Sequence, residues 1–129
     1  MKYEKVREVL LRAGEIIRTY ESKMEKLKDF QSKIDRFNSS DVVEDSKNVK
    51  DKVSGFKKKN IKEYNEALSI AQSIMSLDSK YASILYDVYI VGKKEKELDQ
   101  LNEISKSTVN RRHMMGLKLM EDKLNLNKN

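Results

Sequence analysis

Leu98-Asp99-Gln100-Leu101-Asn102-Glu103-Ile104-Ser105-Lys106-Ser107-Thr108-Val109-Asn110-Arg111-Arg112 is the stretch that decides how this chain is built. Leu98 and Leu101 lie three apart, the spacing of one helix face, and the pattern stops at Asn102. Ile104 is an apolar residue just past a turn, and Ser105 has the chemistry of an N-cap. Val109 and then Leu117 fall on the inner side of the helix that follows. A short helix, a tight turn, an apolar plug and a second capped helix make a helix-turn-helix, packed through Leu98, Leu101, Ile104, Val109 and Leu117.

The second helix has the chemistry of a nucleic-acid reader. Capping at Ser105 leaves the amide-rich N-terminus pointing outward, where it favours anions. Lys106, Ser107, Thr108, Asn110, Arg111 and Arg112 occupy its first turns and are the candidate DNA-binding residues. Arginine reads guanine with two hydrogen bonds and asparagine reads adenine, while serine and threonine suit phosphates. Arg111 is better placed than Arg112, which lies three after Val109 and nearer the packed side. Between Ile104 and Met120 there are four basic residues and no acidic one, whereas residues 38–78 carry seven of each sign. A phosphate backbone selects such an acid-free stretch. His113, the only histidine, falls between Val109 and Leu117 and is expected to pack inward, as is Met120. Met114 and Met115 sit at the edge of that packed side.

Outward from this module, Asp78 is expected to cap a helix that turns Tyr81, Ile84, Leu85, Val88 and Tyr89 inward and ends at Gly92, a C′ glycine. Asn60, with Glu63 three residues on, resembles the start of another helix, striped by Ile61, Tyr64, Leu68, Ala71 and Met75. At the other end, Val6, Ala13, Tyr20, Leu27 and Ile34 recur every seven residues. Val9, Ile16, Phe30 and Phe37 follow three positions after most of them, and Lys23 breaks this second stripe. This heptad pattern needs a cover from a second chain or from a returning helix. The expected layout is a long helix over 1–37 and a linker over 38–59. A packing helix over 60–77, the helix-turn-helix module over 78–124 and a tail at 125–129 complete it. The linker rests on the turn chemistry of Asn38-Ser39-Ser40-Asp41, the sparse Val42, Val43, Val49, Val53 and Phe56, Gly55, and the solvated run Lys57-Lys58-Lys59.

The chain has 129 residues, no proline, four glycines and no cysteine, so an all-α fold without disulfides or thiolate metal sites follows. No apolar run has the length of a membrane span, which points to a cytoplasmic protein. A net charge of +6 agrees with an acidic partner. There is no glycine-rich phosphate loop, no paired histidine motif and no nucleophile with a base. Neither catalysis nor a metal or other cofactor is therefore expected.

Ile104-Ser105, Ser107-Thr108-Val109 and Arg111-Arg112 together resemble region 4 of bacterial sigma factors. The arrangement of long N-terminal helix, variable middle and sigma-like end resembles the ArpU/RinA group of phage late-gene transcriptional regulators, at residue level only from Lys80 to Leu124. Glu103, where such turns usually carry glycine, and His113, at a position usually apolar, depart from the pattern. The resemblance implies binding to a promoter, contact with RNA polymerase and activation of late or packaging genes in a bacterial host. One module with about five phosphate contacts binds weakly, with a salt slope of about 0.9 per contact. Dimerisation through the N-terminal heptads, or RNA polymerase, is the expected source of selectivity. A small terminase subunit, a repressor and a helical protein-binding scaffold or inhibitor share parts of this pattern.

Overall fold

Val6, Ala13, Tyr20 and Ile34 are buried along one side of the first helix, and the next helix of the same chain returns to cover them. The computed structural model describes residues 3–36, 40–102 and 104–126, the side chains of residues 40–49 and 99–102 excepted. Among the described residues every regular element is helical. They are α1 (Glu4–Asp35), α2 (Ser40–Met75), α3 (Ser79–Leu85), α4 (Glu95–Asn102) and α5 (Lys106–Lys123), with α3 running on as a π-helical segment, Tyr86–Val91. None of them is long and apolar enough to cross a membrane.

The cover for α1 is therefore α2, and the main heptad stripe is spent inside the chain. Dimerisation through that stripe loses the surface it required. Tyr20 stacks on Tyr64 at 4.0 Å and on Phe56 at 5.3 Å, which locks the register of the pair. The second stripe fares differently: Val9 and Ile16 are half-buried and Phe30 is exposed.

The expected linker over 38–59 is instead helical from Ser40 onward, and the helix does not begin at Asn60. Asn60 lies inside α2, where its side-chain amide donates to the Phe56 carbonyl at 2.9 Å. A lone glycine costs a helix only about 1 kcal/mol relative to alanine, and packing of Phe56 on Tyr20 outweighs Gly55. Phe37 of the heptad pattern and Asn38 and Ser39 of the expected turn lie outside the described residues, as do the side chains of Val42, Val43 and Val49.

One core joins all this to the C-terminal half. Val6, Leu10, Ala13 and Ile17 of α1 meet Ala67, Ala71 and Ile74 of α2, Leu85, Tyr89 and Ile90, and finally Leu117 and Met120 of α5. Full burial of each large side chain contributes about 1.5–3 kcal/mol. Glu21 accepts a hydrogen bond from the Tyr64 hydroxyl at 2.9 Å. Burial, with Glu21 adding to it, pushes that hydroxyl from its ordinary 10.0 up to about 12. The folded state thus holds this proton more tightly than the unfolded chain, so its contribution is complete below pH 10 and is lost as pH climbs towards 12. Urea unfolding of the parent and Tyr64→Phe proteins should show the steeper alkaline decline in the parent; parallel curves would refute it.

Candidate nucleic-acid interface

The C-terminal unit is assembled by local signals that its sequence states openly. Asp78 caps α3, its side chain accepting from the Lys80 amide at 3.4 Å. Gly92 ends the π-helical segment at φ +94°, and the amides of Gly92 and Lys93 both donate to the Asp87 carbonyl, at 3.0 and 2.8 Å. α4 then lays Leu98 against Ile84 and Val109, with Val88 and Ile104 closing the cluster. Three of the five expected packing residues, Leu98, Ile104 and Val109, meet here, and Leu117 joins the main core instead. The Leu101 side chain and Glu103 lie outside the described residues. α5 is thus gripped twice, by α3 and α4 near its start and by α1 and α2 near its end.

Ser105 caps α5 with extended backbone (φ −66°, ψ 150°), its hydroxyl accepting from the Thr108 amide at 3.2 Å. Thr108 is half-buried and its Oγ1 lies 2.8 Å from Ser105 Oγ, so its hydroxyl belongs to the cap. Ser107 Oγ stands 3.3 Å from the same oxygen but is exposed. Lys106, Asn110 and Arg111 are exposed too, and Arg112 is half-buried on the flank nearer the core. Ser107, Arg111 and Lys118, spaced by four and seven, form one outward stripe. The exposed surface of α5 carries no acid before Glu121. Four of the six expected readers, Lys106, Ser107, Asn110 and Arg111, stand together on open surface.

His113 packs inward as expected, and it does more than fill space. Its Nδ1 lies 2.6 Å from Glu95 Oε2 and its Nε2 lies 2.7 Å from the Tyr89 hydroxyl. A carboxylate only accepts, so Nδ1 carries a proton and donates to Glu95; with the ring assigned that tautomer, Nε2 accepts from the Tyr89 hydroxyl. Burial pushes the Tyr89 hydroxyl up, against a lowering influence of Arg7, and Glu95 reinforces the rise. The chain of three ties the first turn of α4 to the middle of α5 and to the π-helical segment.

Sequence reasoning missed two arginines of α1. Arg18 Nη1 donates to the carbonyls of Tyr89 and Ile90, at 3.2 and 2.7 Å, capping oxygens at the end of the π-helical segment. Arg7 Nη2 donates to Met114 Sδ at 3.6 Å, while its Nε is buried without a hydrogen-bond partner and it forms no ion pair among the described residues. Met114 follows Arg111 by three and precedes Lys118 by four, so Arg7 flanks the basic stripe.

No family model, curated protein or solved structure matches this chain.

Proposed function

We propose that α3–α5 binds double-stranded DNA and that the chain is a transcription regulator. The resemblance to sigma region 4 and to the ArpU/RinA group points more narrowly to an activator of phage or prophage late genes that works beside RNA polymerase. One observation carries the reading: a capped helix, packed near both ends, presents Lys106, Ser107, Asn110, Arg111 and Lys118 on its exposed surface, and α5 carries no carboxylate before Glu121. Such a helix places donors and positive charge where base edges and phosphates lie in a major groove.

Fluorescence anisotropy on labelled duplex, repeated across salt concentrations, tests it. Binding at low salt should weaken log-linearly with salt. Arg111→Ala should lower affinity about tenfold with helicity intact, as loss of a bidentate base contact does. Arg7→Gln should weaken all duplexes alike and reduce the salt slope by about one, the mark of a phosphate contact. A chain with no duplex affinity at low salt would end the proposal.

A further inference from the structure

The side of α1 opposite the basic stripe holds a groove of contrary character. Arg7, Gly14 and Arg18 share the face that meets α5 and the π-helical segment. Val9, Arg12 and Ile16 lie roughly half a turn around the helix from them, at about 100° per residue. There the seam between α1 and α2 opens into two adjoining hollows of about 390 and 190 Å³, which share Arg12, Ile16 and Glu63.

Two heptad rows border this seam. On α1 the row is Val9 and Ile16; on α2 it is Phe56, Glu63 and Ile70, again seven apart. Apolar residues at that period along two packed helices line a seam of the kind on which a further heptad helix packs. Glu63 stands in the middle of the α2 row, where a polar residue selects the partner and its register.

The rim says what charge that helix carries. Glu8, Glu15, Glu63 and Glu66 line the hollows, and all four are exposed. Arg12 is the single cation among the lining residues, and it is committed to Glu63 at 3.2 Å and to Glu15 at 3.9 Å. Glu8 and Glu66 have no ion-pair partner among the described residues. A second copy of this chain would bring the same acids against these, so like charges disfavour self-pairing here. The same rim repels a phosphate backbone or an anionic bilayer. We infer that this groove docks a basic amphipathic helix of another protein, seated by apolar residues at heptad spacing and held by lysines or arginines against Glu8, Glu63 and Glu66. The inference does not depend on whether α5 binds DNA.

Three synthetic three-heptad peptides test it by anisotropy with the full chain. One has leucine at the a and d positions and lysine at e and g; the second has the same leucines with glutamate at e and g. The third is the lysine peptide scrambled so that its apolar stripe is gone. The lysine-flanked helix should bind about tenfold tighter than either other peptide, the summed effect of several modest charge pairs and one apolar seam. In the Glu63→Lys/Glu66→Lys protein, whose changes sit on exposed positions, the glutamate-flanked helix should become the better ligand. Equal binding of the lysine and scrambled peptides, equal binding of the lysine and glutamate helices, or no saturable binding would overturn it. So would a parent chain that sediments as a dimer and is made monomeric by the same charge reversal.

Discussion

Gly14→Ala should destabilise the molecule by roughly 3 kcal/mol, about 10 °C in Tm, although it adds a single methyl group to a helix. A Cβ at this position would stand 1.7 Å from the Tyr89 carbonyl oxygen and 2.8 Å from its carbon, with Arg18 Nη1 at 2.9 Å. Nothing in that shell yields easily. Two of the three atoms are backbone, and the arginine is fixed by the carbonyls it caps. The helix must back away from the π-helical segment, which withdraws Leu10 and Ile17 from the core they share with Tyr89 and Ile90. Gly55→Ala is the internal control. Its Cβ would meet nothing within 4 Å, so ordinary helix propensity should raise stability by up to about 1 kcal/mol. Differential scanning calorimetry of the two variants should separate them in opposite directions. If both moved together, the close approach of α1 to Tyr89 would not exist in solution.

Replacing His113 with phenylalanine should cost about 2–3 kcal/mol, because it preserves bulk but strands polar partners. Tyr89 is only 3% exposed, so its hydroxyl would remain buried without an acceptor. The Glu95 side chain is 33% exposed and recovers water, which limits its share of the loss. The decisive comparison is the double variant. Adding Tyr89→Phe to His113→Phe removes the stranded hydroxyl and should restore about 1 kcal/mol rather than add a second loss. Hydrogen exchange should show where the damage falls: the amides of α4, which lose their link to α5, should exchange faster than those of α1 and α2. A double variant less stable than His113→Phe would mean that the three groups do not act as a chain.

The parts of this fold that the sequence announces are those decided within a few residues. Ser105, Asp78 and Gly92 take the capping roles their chemistry dictates, and Leu98, Ile104 and Val109 meet because helical period alone puts them on facing sides. Of the six candidate readers, Lys106, Ser107, Asn110 and Arg111 stand on open surface as their spacing implies, while Arg112 is half-buried and Thr108 gives its hydroxyl to the cap. What escaped was set by distant partners. Gly55 and Asn60 have the local look of a break, and only Tyr20, far away on α1, explains why the helix runs through them. His113 carried a packing signal, but nothing in the spacing connected it to Glu95 and Tyr89 on two other elements. The π-helical segment has no periodic signature either; the carbonyls at its end are satisfied because Arg18, 71 residues from Tyr89, caps them. Arg7 was invisible for the same reason.

α1 is 32 residues long and so spans about 48 Å, yet its links to the C-terminal unit through Arg7, Gly14 and Arg18 all fall in its first half. From Arg18 to Asp35 it runs on for about 25 Å beside α2. That outer part is an arm whose length is independent of the fold at its base. Removing or inserting a matched heptad in both helices would move the tip by about 10 Å while keeping every side chain on its own face. Any partner carried on the arm would then change its distance from α5 in fixed steps, and the chain has in this hairpin an adjustable ruler.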